Sequence, residues 1–437
     1  MTLSNFKKKI KIESNKKKLL FIQLNELNLE LVQKYSKDID FKFFNKDFFK
    51  KLLITSSEKN YELLEPWIQW VSIYTGKSAK EHNIFRLGDI EKYNEMSLFN
   101  AIEKLNKSVG VICAMNLKNN LKKPKYFISD PWTNTANSHG KVINFISKTI
   151  SKVVNMNSHK SIPLTLYFRV LIVLLVCFKF KNIFLYLKLI INLKNKWNKA
   201  LLLDLILHDL HLNLIAKHKT DFSSIFFNAG AHIQHHYFFN SKYFDNKDLN
   251  NPKWYVEKKY DPILDCILFY DNILSDYKKL DNYEIVIATG LSQKPYDRTK
   301  FYYRLKDHEK FFKKLNINFH KITPRMTRDF LVTFNNNEEK NEAIKKIKNL
   351  NDMNKLKIFS LEDREKSIFV TLSLQQNIND YNEILIDYER KILMKDHVVF
   401  VALKNGMHDS RGYFYSSFES FLENILQINK QIINFFK

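Results

Sequence analysis

The chain has 437 residues, and its 70 Lys and Arg against 46 Asp and Glu leave a formal charge of +24. With 45% apolar and 14% aromatic residues it can bury a substantial core, which excludes a disordered or purely solvating chain. Its eight glycines never fall in G-x-G-x-x-G or G-x-x-x-x-G-K spacing, so dinucleotide dehydrogenases and Walker-type NTPases drop out.

The lysines are spread along the whole chain instead of clustering with aromatics, so no nucleic-acid partner is expected; an anionic substrate or membrane surface stays open. Three widely separated cysteines, Cys113, Cys177 and Cys266, exclude a disulfide framework and a Cys-based zinc ribbon and point to a reducing cytoplasm. In chain order, residues 1–18 read as a basic extension and LLFIQL at 19–24 as a first strand; that run is too short for a secretory leader and turns polar at Asn25. VGVICAM at 109–115, SSIFFNA at 223–229, EIVIATG at 284–290 and HVVFVAL at 397–403 are further runs apolar on both faces, as central strands of a parallel sheet covered by helices require. LVTF at 331–334 and SIFVTLSL at 367–374 flank a helical stretch as a strand–helix–strand unit. The expectation is an α/β sandwich spanning 19–437.

Residues 141–220 break the pattern and read as a helical insertion. Within it IPLTLYFRVLIVLLVCF, 162–178, is the most hydrophobic segment, yet Pro163, Thr165 and Arg169 interrupt it and it falls short of a bilayer span. Helices packed on their own domain are the first reading; peripheral membrane contact through 162–200 is the second, which would place the protein at the inner face of the membrane. In the following helix Asp204, His208 and His211 recur at i, i+4 and i+7, a spacing that either ligates a metal or marks the polar face of an amphipathic helix; the second is the stronger reading.

In open α/β sheets ligands bind beyond the carboxyl ends of the strands. Asn25 and Glu26 follow the first such strand, GAHIQHHYFF follows the third, LSQKPYD the fourth and KNGMHDSRGYFY the last. His232, His235 and His408 at these ends, with Glu26 or Glu65, suit a divalent zinc, manganese or iron ion, zinc or manganese first, because neutral imidazole ligates and a carboxylate offsets the charge. The alternative for each histidine is a hydrogen-bonded core residue. Trp67, Trp70 and Trp132 read as core packing before ligand stacking.

EPWIQWVSIYTGKSAKEHNIF at 65–85 resembles the P-x-W-T-S-…-T-G-…-H-G-I-F stretch of the alkaline phosphatase superfamily, in its type I phosphodiesterase/nucleotide pyrophosphatase branch. AHIQHHYFF resembles the D-R-I-Q-H-x-F-W element of that branch, and GMHDSRGYFY its late G-x-H element. The resemblance runs from about 19 to 415 and implies a three-layer α/β/α fold acting on phosphate esters. The positions it implies are depleted: Asn25 stands for the first Asp, Glu65 and Pro66 for the nucleophile, Ala231, Thr289 and Gly290 for further ligands, while His235 and His408 survive. Two adjacent dications are therefore not expected. The function expected is a hydrolase or transferase for a phosphate ester or phosphodiester with a single-metal site, Glu65 acting as base on a water. Thr75 is the named hydroxyl candidate, beside Ser56, Ser57, Ser72, Thr289 and Ser292. Arg304, Arg325 and Arg328 would form the anion clamp, with Ser292 and Gln293 at the substrate. The alternative is a non-catalytic protein binding an anionic saccharide, nucleotide or lipid headgroup, in envelope polysaccharide assembly.

Overall fold

The computed structural model describes residues 18–437 except 95, 134, 137–139, 157–162, 247, 326–327, 351–356, 379–382 and 386–390; the basic extension, apart from Lys18, lies outside the described residues. The chain divides into two compact units, 1–295 with 406–437, and 296–405.

The first unit is built on seven strands: β1 (Lys18–Leu24), β2 (Leu52–Ser56), β3 (Val109–Ile112), β4 (Tyr126–Ile128), β5 (Phe222–Phe227), β6 (Tyr283–Ala288) and, after the second unit, a strand at Arg411–Ser416. β6, β1, β5, β3 and β4 lie side by side and parallel; the Arg411–Ser416 strand pairs antiparallel with β6 and with β2 at the edge. Every residue of β3 and β5 and all of β1 after Lys18 is buried. Both faces of the sheet must therefore be covered, which is the three-layer α/β arrangement that unbroken apolar runs dictate.

Helices of this unit include α1 (Pro66–Thr75), α2 (Lys141–Met156), α3 (Leu164–Cys177), α4 (Ile183–Ile191), α5 (Trp197–His218), α6 (Ala229–Tyr237) and α7 (Pro262–Tyr277). Pro66 at the first turn of α1 and Gly76 in the left-handed conformation beyond its end are standard start and stop signals. Between Ile128 and Phe222 the described residues form helices and no strand.

The second unit has its own sheet. After β7 (Ser292–Leu305), in which the chain leaves the first unit, come β8 (Lys321–Pro324), β9 (Asp329–Thr333), α8 (Asn337–Lys348), β10 (Phe359–Arg364) and β11 (Ser367–Leu372), in the antiparallel order β10-β11-β9-β8. β12 (Glu383–Leu385) and β13 (Lys391–Leu393) pair with each other, and β14 (Val398–Asp409) pairs with β7 and returns the chain; Arg411–Ser416 is thus β15. Two sequence expectations change here. Val398–Leu403 of HVVFVAL lie in β14, outside the parallel sheet, and Val399, Phe400 and Val401 are only partly covered. LVTF and SIFVTLSL do flank a helix, but β9 and β11 run antiparallel, because an apolar run records burial and not strand direction.

Candidate functional site

The carboxyl ends of β1, β5 and β6 lie side by side, Leu24 opposite Phe227 and Gln23 opposite Ala288. Beyond β1 the Asn25 N–H still donates to Phe227 O at 3.0 Å and the Glu26 N–H to Thr289 O at 3.1 Å. Glu26 is held there at φ 56°, in the left-handed region that a residue with a Cβ adopts at a cost of about 1–3 kcal/mol. Strain of this kind persists only where neighbours enforce it. Here the enforcing groups are Gln234 of α6, which donates to Glu26 O at 2.9 Å and accepts the Asn28 N–H at 2.9 Å, and Asn28, whose amide donates to Gln293 O at 2.8 Å.

The turn points the Glu26 carboxylate, 2% exposed, at two imidazoles. Its Oε2 lies 3.0 Å from His235 Nε2 and 3.2 Å from His408 Nε2, and the three side chains offer ligand atoms within 4.8 Å of one another. Gln293 Nε2 donates to the same oxygen at 2.6 Å, and Asn25 Nδ2 to the other at 3.1 Å. Asn25 is itself fixed by the Trp70 indole N–H at 2.8 Å and by Asn228 Oδ1 at 2.8 Å. Burial raises the Glu26 carboxyl, but the charges of His408 and His235 and their hydrogen bonds outweigh it and hold the group well below the usual carboxylate range.

His235 Nδ1 lies 3.0 Å from Gly406 O. A carbonyl only accepts, so Nδ1 carries the hydrogen and the neutral ring turns the Nε2 lone pair toward Glu26 Oε2. Two acceptors at 3.0 Å need a positive charge between them, either a proton or a cation. An imidazole oriented by a backbone carbonyl is the usual partner arrangement of a metal-ligating histidine. One carboxylate and two imidazoles are also the donor set of single-ion hydrolytic centres. The residues fit a divalent ion. Glu65, at the start of α1, places Oε2 3.7 Å from His408 Nδ1, bringing a second carboxylate to the rim.

Of the metal candidates, then, Glu26, His235 and His408 come together; the His232 ring packs against His236 with centroids 4.7 Å apart. Ser292 and Gln293 are fully buried at the start of β7, Gln293 on Glu26 and on Ala231 O, which makes it a support of the carboxylate. Thr75 returns its hydroxyl to Val71 O at 2.8 Å, within its own helix. Arg304, Arg325 and Arg328 belong to the second unit: Arg304 is buried, Arg325 exposed, and the Arg328 guanidinium lies 4.3 Å over the Tyr302 ring.

A Ser–His pair escaped the sequence reading. Ser72 Oγ and His82 Nε2 are 3.0 Å apart and both residues are buried. His82 Nδ1 accepts the Ile84 N–H at 3.0 Å, so Nε2 bears the hydrogen and donates to Ser72. That tautomer cannot take the serine's proton, and the pair is structural. Asp204, His208 and His211 do not form the solvated face that was the stronger reading: they are 2%, 0% and 0% exposed. His208 bonds Asp276 at 3.2 Å, His211 bridges Tyr277 and Ser223, and Asp204 accepts the Ala229 and Asn228 N–H groups at the start of α6. The apolar count of α5 had suggested one wet face; polar packing against α7 and β5 replaces it.

No family model matches the chain, and no curated protein matches it. Solved structures do. Phosphonoacetate hydrolase from Sinorhizobium meliloti 1021 is 10% identical with a TM-score of 0.44, covering 97% of each chain. Human ectonucleotide pyrophosphatase/phosphodiesterase 5 is 9% identical with a TM-score of 0.41, over 96% of this chain and 94% of that one. Alkaline phosphatase from the Antarctic bacterium TAB5 is 9% identical with a TM-score of 0.39, over 97% and 98%. Each likeness extends over nearly the whole length of both chains.

Proposed function

We propose that the Glu26–His235–His408 centre hydrolyses, or transfers at, a phosphate ester or phosphodiester with the help of one divalent ion, zinc or manganese. The observation that carries this reading is Glu26 Oε2 lying within 3.2 Å of two imidazole nitrogens, one of them with its lone pair set by Gly406 O. Glu26, His235 and His408 would hold the ion, which when bound supplies Lewis-acid polarisation of a phosphoryl oxygen. Glu65, partly exposed beside His408, is the base for an attacking water, and no protein hydroxyl is needed. Lys294, next to Gln293, and Arg411, three residues after His408, are each about half exposed near these strand ends, where Lys294 pairs with Asp409 and Arg411 with Glu30 and Asp409; an anion docking there would compete with those carboxylates.

A second reading, binding of an anionic saccharide, nucleotide or lipid headgroup without turnover, is favoured by one observation: Glu65 and Pro66 open α1 where the superfamily resemblance puts the nucleophile, and the nearby Ser72 and Thr75 hydroxyls are committed to His82 and Val71. Elemental analysis joined to a screen of nitrophenyl phosphate mono- and diesters separates the two. Near-stoichiometric metal, with turnover lost in His235→Ala and in His408→Ala, is expected. Metal-free, inactive protein that a sugar nucleotide stabilises against heat would establish the binding reading in its place.

A further inference from the structure

Between Pro131 and Leu203 the sequence holds ten lysines and Arg169 and no acidic residue. The same stretch contains α3 and α4, and between Leu164 and Ile191 stand twelve of the nineteen large apolar side chains that are exposed among the described residues. They are not scattered. On α3, Leu164, Tyr167, Phe168, Leu171, Ile172, Leu175 and Val176 recur at three- and four-residue steps, while Leu166, Val173 and Cys177 on the opposite face are buried. On α4, Phe184, Leu187 and Ile191 face out, 81%, 47% and 76% exposed, and Tyr186 and Leu189 face in. A helix apolar on all sides is ordinarily buried on all sides. Here, among the described residues, only one side is buried against protein.

The bend between the two helices is 117°, and neither helix is long and apolar enough to cross a bilayer alone. Nor is the bend a loose hinge that could straighten into a span. Buried Asp209 of α5 accepts the Lys179 N–H at 2.9 Å and the Asn182 amide at 2.5 Å, while Lys179 Nζ reaches Asn213 at 2.9 Å and Lys181 pairs with Asp276 at 2.7 Å. Straightening would strip Asp209 of these partners inside the protein, a buried unpaired carboxylate being far costlier than the bend.

We propose that the bent pair α3–α4 is a monotopic seat on an anionic phospholipid surface, Leu175, Phe180 and Phe184 entering the acyl boundary and Lys188, Lys194 and Lys199 lying at the headgroups. Charge decides the occupant. A second copy docked face to face would bring the same lysines together, and residues 131–203 hold no carboxylate to offset them, whereas anionic lipid supplies both apolar chains and countercharge. Lys188, Lys194 and Lys199 are all exposed. The inference goes beyond the hydrolase reading and does not depend on it, since its readout is partitioning and not turnover.

The full chain is to be sedimented with vesicles of phosphatidylcholine alone and of phosphatidylcholine with phosphatidylglycerol, at low and high salt. Binding to the anionic vesicles, weakened by salt, is expected. Leu175→Ser/Phe180→Ser/Phe184→Ser should lose about tenfold or more of it, and Lys188→Gln/Lys194→Gln/Lys199→Gln should retain the fold and lose most of the salt dependence. The first three side chains are 72–81% exposed, so an unchanged circular dichroism spectrum and thermal midpoint are the control for folding. Protein left in the supernatant with both vesicle types overturns the proposal. So does a dimer in vesicle-free buffer that the apolar triple variant dissociates, which would make the face a self-association surface.

Discussion

Glu26 shows how a single residue can be held where it would not otherwise rest. Its φ of 56° is tolerated because Gln234, Thr289 and Phe227 fix the backbone around it, and its charge is sustained by two imidazoles and two amides. Glu26→Gln keeps the shape and removes the charge, so the fold should survive while affinity for a divalent ion falls by about 100-fold or more, as calorimetric titration with zinc or manganese would record. Unchanged affinity would remove Glu26 from the ligand set. Asp204 presents the opposite balance. Burial raises its carboxyl to about 7 against the N–H of Ala229, the Tyr270 hydroxyl and the N–H of Asn228, which pull it down. In the unfolded chain the group titrates near the ordinary value of about 4. Between those pH values the folded protein therefore holds a proton that the unfolded chain has lost, and the stability this group contributes is complete below about pH 4 and declines as pH rises through about 7. The wild-type urea midpoint should fall over that window relative to Asp204→Asn; parallel curves would contradict it. His235 and His408 could be read from sequence because strand ends are where ligands gather, whereas Asn228, Gln234 and the role of Gln293 could not, since an amide's partner is set by tertiary approach and leaves no pattern in the chain.

At the level of elements the site depends on how closely β14 approaches α6. A Cβ built on Gly406 would lie 2.3 Å from Gln293 Oε1 and 2.6 Å from the backbone oxygen of Gln234, and the second of these cannot swing aside. Gly406→Ala should therefore destabilise the first unit by about 1–3 kcal/mol in urea and push His235 off the carbonyl that sets its tautomer, so that metal affinity and stability fall together. A variant as stable as wild type would show the strand is free to move. This dependence was hidden in the sequence, where Gly406 is one glycine beside a histidine motif. By contrast β1, β5 and β6 were legible because unbroken apolar runs have few other uses, and α3 was legible as anomalous because it is apolar without being long enough to span. What the pattern could not give was which side of α3 is covered; that follows from Leu166, Val173 and Cys177 packing inward, which only the fold reveals.

Among the described residues, the two units have separate main cores. In 296–405, Phe312, Phe330, Ile358, Ile368, Val370 and Leu372 are completely buried, and Ala343 and Ile347 of α8 join the same cluster. None of these residues belongs to the core around the parallel sheet. Sequence alone merged the two because 296–405 has no compositional break; the chain changes unit inside β7 and β14, marked only by Pro295 and Gly406. A segment of about 110 residues with its own sheet and helix is within the usual range of independent folding. All five tryptophans, Trp67, Trp70, Trp132, Trp197 and Trp254, lie in the first unit, so their fluorescence reports on that unit alone while far-ultraviolet circular dichroism reports on both. Residues 296–405 expressed alone should give a cooperative urea transition, and in the full chain the dichroism transition should separate from the fluorescence transition at the midpoint of the fragment. A fragment without cooperative unfolding, or coincident transitions in the full chain together with an unfolded fragment, would mean that the second core is stable only through its covalent attachment at β7 and β14. The two strands would then be structural supports of 296–405 and not merely its entry and exit.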